Sequence, residues 1–239
     1  MFFPGAAAEV IERCNGREGE LQLQRRGEEF EIIYNGVFLM ATYNGASEKE
    51  AVREALKLVN DRGQDQLKVL IGGLGVGYSL QEALAWKQVV RVVVAEIEPA
   101  VIRWNRGFLR EINDHALDDP RTVLLNCDFR KVLEQEAEKG LLNPARKYDV
   151  IMVDTDNGSS WLSLPVNAYF YSTDGLKLIS SCLQPGGAAC FWCSRREEPF
   201  EAELKEIFRQ VSFQCVPEKT GQEGCYYLAL KDTGSPLRI

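Results

Sequence analysis

An α/β chain with a doubly wound, mostly parallel sheet is the fold class this sequence predicts, and three observations carry it. Five short apolar runs, Lys68–Ile71, Val89–Ile97, Thr122–Cys127, Tyr148–Val153 and Ala188–Trp192, alternate with stretches of helical periodicity. The runs are near-continuous in apolar residues, as strands are when helices bury both of their faces. The first run leads into Gly72, Gly73, Gly75 and Gly77 before a helix restarts at Ser79. Strand, glycine turn and helix together bring backbone N–H groups and a helix N-terminus to a nucleotide-like ligand.

The elements follow in order. Residues 1–46 hold three strand-like runs, Leu21–Gln24, Phe30–Tyr34 and Val37–Thr42. Asn35-Gly36 between the last two suits a two-residue hairpin turn, because both residues tolerate positive φ. This stretch reads as a small N-terminal antiparallel β element, and 47–239 as the α/β domain, a division that suits a chain of 239 residues. Ser47 with Glu50 reads as a capping box opening a helix through Val59, with Ala51, Ala55, Leu56 and Val59 on one face. Pro99 suits the first turn of a helix reaching Asn105, and Phe129–Ala137 forms the next. Ser172 or Thr173 caps a helix to Cys182, which Leu183-Gln184-Pro185-Gly186-Gly187 ends. Pro199–Val211 is the last helix. Ser212–Val216 and Cys225–Leu230, joined by the polar segment Pro217–Gly224, form an antiparallel hairpin at one sheet edge, and the tail Asp232–Ile239 is expected to fray.

Composition removes several classes of function. The formal charge is −7, from 28 basic and 35 acidic residues, and no basic run interleaves with aromatics, so nucleic acid is not expected as a partner. No apolar run approaches the roughly 20 residues of a membrane helix. Glu9 and Glu12 interrupt the N-terminal apolar stretch, which has no basic flank, and the seven cysteines show no secreted-domain spacing. Reduced thiols and a cytoplasmic location are the expectation. His115 is the only histidine. It stands in a polar stretch and reads as a surface loop residue, so no histidine-rich metal site is available and no metal is expected. Cys190 and Cys193 have redox-motif spacing but lie in or just after a strand, and read as core thiols.

Four acids stand where ligands bind in such sheets, beyond the carboxyl ends of strands. Glu96 closes the second strand, 19 residues after Gly77, where an acid can accept from both ribose hydroxyls. Asp128 closes the third strand and Asp154 the fourth, with Asp156 just beyond. Singly, any of them reads equally well as a helix cap or a solvated acid. Jointly, they face one glycine loop.

The order Gly73-x-Gly75-x-Gly77, Glu96-Ile97-Glu98-Pro99, Cys127-Asp128, Tyr148–Asp154 and Leu183–Gly187 resembles the spermidine synthase family. These are polyamine aminopropyltransferases on the Rossmann-like, S-adenosylmethionine-dependent methyltransferase fold. The resemblance spans about Glu29 to Leu230 and includes the N-terminal hairpins. It implies that Gly73, Gly75 and Gly77 line the ligand's aminopropyl or amino acid arm, that Glu96 holds the ribose and that Asp128 binds the adenine amino group. It implies further that Asp154, with Asp156 beside it, is the general base for a small-molecule amine acceptor, because an ammonium must lose a proton before it can attack. The co-substrate is then S-adenosylmethionine or its decarboxylated form. A homodimer through the N-terminal hairpins is a further expectation.

Two departures stand out. The family's loop aspartate, which pairs with the aminopropyl ammonium, is Gly75 here, a change that admits a carboxylate. The family's two acids after the fourth strand are spaced by three with a proline following, whereas Asp154 and Asp156 are spaced by two with none. Besides aminopropyl transfer, the residues therefore leave open a small-molecule methyltransferase using intact S-adenosylmethionine, and a non-catalytic nucleoside-binding scaffold. The aromatic segment Asn157–Tyr171 reads either as a lid over the acceptor or as a loop anchored in the core.

Overall fold

Four short strands open the chain: β1 (Glu9–Asn15), β2 (Glu20–Arg26), β3 (Glu29–Tyr34) and β4 (Val37–Ala41), paired in sequence as an antiparallel sheet. The computed structural model describes residues 7–61, 63, 65–143, 147–162 and 164–233. Asn35 and Gly36 both have positive φ, 50° and 75°, as the tight hairpin turn requires. Strand β1 was not foreseen. It is an edge strand whose burial is slight, with Val10 44% exposed, so no apolar period marks it.

Helix α1 (Ala46–Asn60) leads into β5 (Leu67–Gly72), α2 (Tyr78–Ala85), β6 (Val89–Ala95), α3 (Pro99–Arg106), β7 (Thr122–Leu125), α4 (Phe129–Leu142) and β8 (Tyr148–Val153). Then follow α5 (Thr173–Cys182), β9 (Leu183–Cys193), α6 (Glu198–Ile207), β10 (Gln210–Pro217) and β11 (Glu223–Leu230). The seven later strands form one sheet in the order β10-β11-β9-β8-β5-β6-β7. The five from β5 to β9 are parallel, while β11 runs antiparallel between β9 and β10. This is the doubly wound, mostly parallel sheet with a C-terminal antiparallel hairpin that the sequence predicts.

Alternate strand residues enter separate cores. Val69 and Ile71, Val92 and Val94, and Val150 and Met152 face one side; Leu70, Val93, Ile151 and Val153 face the other. The first core continues into the small sheet through Leu21, Leu23, Ile32 and Tyr34. The N-terminal strands are thereby packed against the same face that carries α1 and α2.

Several boundaries and caps differ from expectation. Strands β6 and β7 stop at Ala95 and Leu125, paired in register, so Glu96 and Asp128 stand beyond the sheet and not in it. Strand β9 starts at Leu183, because Gly186 at φ 74° lets the Pro-Gly-Gly segment enter the sheet with a register shift opposite Tyr148 and Val150. Helix α6 ends at Ile207, short of Val211, and β10 takes over at Gln210. Ser172 does cap α5, accepting from Gly175 N–H at 3.2 Å. The capping box at Ser47 does not form. Helix α1 starts one residue earlier with no side-chain cap of its own. Instead the Glu218 carboxylate, from the β10–β11 turn, accepts the N–H groups of Gly45, Ala46 and Ser47 at 3.0, 3.2 and 2.9 Å.

The cysteines need a correction too. Cys215 and Cys225 are disulfide-bonded, so the seven are not all reduced thiols. They lie directly opposite across β10 and β11, a register that their spacing of ten in a hairpin read only approximately did not reveal. Cys190 and Cys193 are free and buried as expected, and burial pushes the Cys193 thiol up to about 12. His115 is on the surface, in the left-handed region at φ 58° and 3.0 Å from Glu111. The expected fraying of the tail falls largely on 234–239, outside the described residues.

Candidate active site

The loop after β5 is shaped by positive φ at Gly73 (95°), Gly75 (53°) and Gly77 (96°). A β-carbon on Gly73 would collide with the Asp154 carbonyl oxygen, so only glycine lets β5 and β8 end this close together. Much of the loop's hydrogen bonding is internal. Gly73 N–H goes to Ala95 O at 2.9 Å, Leu74 N–H to Glu96 Oε2 at 2.9 Å, and Gly77 N–H to Leu74 O at 2.8 Å. Val76 N–H points at the sulfur of Met40, on β4, at 3.0 Å. From behind, Asn105 Nδ2 holds Gly75 O at 2.7 Å and Asn113 Nδ2 holds Val76 O at 3.1 Å. These N–H groups are thus committed, an arrangement unlike a loop that cradles a phosphate with its backbone.

Glu96 is buried one residue beyond β6. Its second oxygen accepts Glu98 N–H at 2.8 Å, and burial, with Glu98 nearby, raises its pKa. Asp128 is the N-cap of α4, accepting Arg130 N–H at 2.9 Å, and also lines the cavity described next. Being a cap and facing a ligand site do not exclude one another.

A cavity of about 490 Å³ spans from Glu96 and Asp128 past the glycine loop to Asp154, Asp156 and Trp192. Every site residue expected from the sequence except Gly77 lines it; Gly77 is the N-cap of α2 just behind. Asp154 is one residue beyond β8, its backbone N–H on Gly72 O at 2.8 Å and its Oδ2 accepting from the Ser79 hydroxyl at 3.1 Å. Burial, then the charges of Glu48, Glu96 and Asp156, push the Asp154 carboxyl up to about 8. Asp156 is buried and accepts from the Thr155 hydroxyl at 3.0 Å.

Residues that the sequence did not single out complete the wall. Glu48 comes from the first turn of α1, Glu218 and Glu223 from the β10–β11 turn region, and Met40 from the small sheet. A polar turn and a helix N-terminus carry no spacing signal for a site, since each reads as ordinary solvated surface. Counting Glu98, eight described lining residues are acids, and none is Lys, Arg or His. The segment after Asp156 divides its roles. Trp161 lines the cavity at 44% exposure, Phe170 both lines it and packs on Phe129, and Tyr171 packs away from it on Phe200, each ring pair at 5.1 Å between centres. Glu197 fastens its start, accepting Ser159 and Ser160 N–H at 2.9 and 3.0 Å. Among the described residues no grouping of His, Cys, Asp and Glu is arranged for a metal, and no helix is long and apolar enough to cross a membrane.

Comparison with known proteins places this architecture. The chain is 28% identical over 169 residues to a polyamine aminopropyltransferase of Mycobacterium tuberculosis, covering 70% of this chain and 29% of that protein. It is 29% identical over 191 residues to polyamine aminopropyltransferase 2 of Pseudomonas aeruginosa, covering 75% and 50%. The chain thus spans half or less of the length of these curated relatives. The crystal structure of spermidine synthase from Thermotoga maritima superposes with a TM-score of 0.73 at 15% identity, over 96% of this chain and 74% of that one. A spermidine synthase in complex with the transition state analogue AdoDATO gives 0.72 at 16% identity, with the same coverage. The family model for the spermine/spermidine synthase domain matches residues 49–231, and the chain belongs to that family.

Proposed function

We propose that this chain is an aminopropyltransferase that moves the aminopropyl group of decarboxylated S-adenosylmethionine to a small amine, a step of polyamine biosynthesis. The observation that carries the reading is the cavity wall, with eight acids and no basic residue among its described lining. Such a wall favours ligands that are cationic throughout, and a sulfonium bearing an ammonium arm and an amine acceptor are both of that kind. Membership of the family supports it, as do relatives named polyamine aminopropyltransferases.

In this reading Glu96 accepts from the ribose hydroxyls and Asp128 from the adenine amino group. Gly73 and Gly75 flank the aminopropyl arm, while Gly77 starts α2 behind it. The acceptor amine gives a proton to Asp154, with Asp156 alongside. The freed lone pair attacks the carbon next to the sulfonium, the new C–N bond forms, and the C–S bond breaks to leave a neutral thioether. The sulfonium is already activated, so the protein's share is to position both partners and take the proton. A carboxyl held near 8 by burial is well matched to that task, since it is a stronger base than an exposed aspartate. With the chain divided after residue 46, strands β2–β4 close one wall of the cavity over the α/β domain, and a location in the cytoplasm fits this chemistry.

A second reading, methyl transfer from intact S-adenosylmethionine, draws on Gly75, where the family's aspartate would repel a carboxylate. Against it, that carboxylate would enter a wall whose described residues include no cation. Incubation with putrescine and each nucleoside, followed by mass spectrometry, tests the choice. The expected products are spermidine and methylthioadenosine from the decarboxylated compound alone. A methylated amine from the intact compound would move the assignment to a methyltransferase.

A further inference from the structure

Three cysteines share one row of the large sheet. Cys193 on β9, Cys225 on β11 and Cys215 on β10 are partners across neighbouring strands, and the last two form the disulfide, with their Cα atoms 4.1 Å apart. Its two halves differ in access. Cys225 is 2% exposed, whereas Cys215 stands exposed on β10, the edge strand. A thiolate in solution therefore approaches from the Cys215 side. Cys193 does not compete from within, because burial pushes its thiol up to about 12 and leaves almost none of it as thiolate. In a cytoplasm, the location proposed above, structural disulfides are rare and exposed ones exchange with small thiols.

The bond closes the end of the hairpin that reaches the cavity. Past it only Val216–Gly224 and Pro217–Glu223 pair before the turn, and Pro217 has no N–H to give. The turn is held by Glu218 N–H on Gln222 O at 2.8 Å and Gly221 N–H on Glu218 O at 3.0 Å. This short tip carries Glu218, Glu223 and Gly224 into the cavity wall, at the Trp192 end and away from Glu96 and Asp128. It also fixes the start of α1. The Glu218 carboxylate accepts three N–H groups there, and Gly224 lies so close to Ser47 that a β-carbon would collide with the hydroxyl. The Trp192 indole N–H reaches the same hydroxyl at 2.8 Å. A covalent tie two residue pairs from the turn limits how far the tip can depart from α1.

We propose that Cys215–Cys225 is a thiol-exchange site through which low-molecular-weight thiols set the fit of the acceptor amine. A small thiolate attacks the Cys215 sulfur, the bond to Cys225 breaks as a mixed disulfide forms, and Cys225 leaves as a thiolate that takes up a proton. A second small thiolate attacks the mixed disulfide, releasing Cys215, which takes up the other proton, and a small-molecule disulfide. Two electrons and two protons thus pass from two small thiols to the protein. The reduced tip loosens its hold on α1, and the Trp192 end of the cavity loses a fixed wall while the Glu96 and Asp128 end keeps its own. The effect on the acceptor rests on the aminopropyl-transfer reading; the exchange itself does not.

The test equilibrates the full, folded chain with reduced and oxidised glutathione at set ratios and counts free thiols by maleimide labelling and mass spectrometry. Amide exchange at Gly45, Ala46 and Ser47, methylthioadenosine binding and putrescine kinetics are followed in the same samples. Reduction without denaturant is expected to free Cys215 and Cys225, speed exchange at those amides about ten-fold and raise KM for putrescine about three- to ten-fold, with methylthioadenosine affinity unchanged. Cys215→Ser should match reduced wild type at every ratio. A disulfide that stays closed in excess reduced glutathione, or a reduction that leaves amide exchange or KM unchanged, overturns the inference and leaves aminopropyl transfer standing. Wild type that turns over no amine in either state overturns the transfer reading, and amide exchange then decides the switch alone. Should Cys215→Ser not fold, reduced wild type supplies the same comparison.

Discussion

The sulfur of Met40 occupies the space that a β-carbon on Gly75 would take, and it also receives the Val76 N–H at 3.0 Å. The small sheet and the glycine loop are thus interlocked at the position where the family carries an aspartate. Gly75→Asp alone should overpack this contact and cost about 1–3 kcal/mol of stability, read as a lower melting temperature. Met40→Ala in the same chain should restore the packing part of the loss, leaving the strain of a side chain at φ 53°, and the pair should then prefer decarboxylated over intact S-adenosylmethionine. A double variant as unstable as the single one would show that Met40 is not the obstacle.

Glu218 is expected to hold α1 from a distance of 171 residues. Glu218→Ala should cost about 1–2 kcal/mol, as loss of a helix cap does, which for a chain of this size is a shift of roughly 2–8 °C. An unchanged melting temperature would mean that water caps the helix equally well.

Glu96 binds two backbone N–H groups and, in the proposed complex, the ribose. Glu96→Gln should weaken nucleoside binding by about 1–3 kcal/mol while the chain remains folded. Titration with methylthioadenosine checks this, and unchanged affinity would confine Glu96 to shaping the loop.

How far the site could be read from the sequence follows from how local each part is. The strands and the acids beyond them are encoded within a few residues: apolar runs mark β5, β6 and β8, and Glu96 and Asp154 follow their strands directly. The Met40–Gly75 contact, the Glu218 cap and the Ser47–Trp192 bond join residues far apart in the chain, and no periodicity announces them. Ser47 with Glu50 carried a real capping signal, but a carboxylate on the far hairpin took the N–H groups instead. Asp128 shows the converse, a local cap that also faces the cavity.

Asp154 sets a stability cost that depends on pH. Its folded pKa is raised, so the folded chain keeps a proton that the unfolded chain gives up near 4. Its effect is absent below that value; stability then falls as pH rises toward about 8, where the buried carboxylate must ionise. Asp154→Asn should melt above wild type at alkaline pH and near it in acid. Parallel curves for the two chains across this window would refute the buried, raised carboxyl.

The proton acceptor itself is reached most directly by the pH dependence of kcat/KM for the amine, in wild type and Asp154→Asn, with a confirmed nucleoside donor. The base works only when unprotonated, so the wild-type rate should climb with pH as the Asp154 carboxyl ionises and level above that limb, whose midpoint the bound cationic donor draws below the value of about 8 for the unliganded chain. Asp154→Asn should bind the nucleoside normally, lose that limb and turn over about 100- to 10,000-fold more slowly. Full activity in Asp154→Asn with the same pH profile would contradict the account.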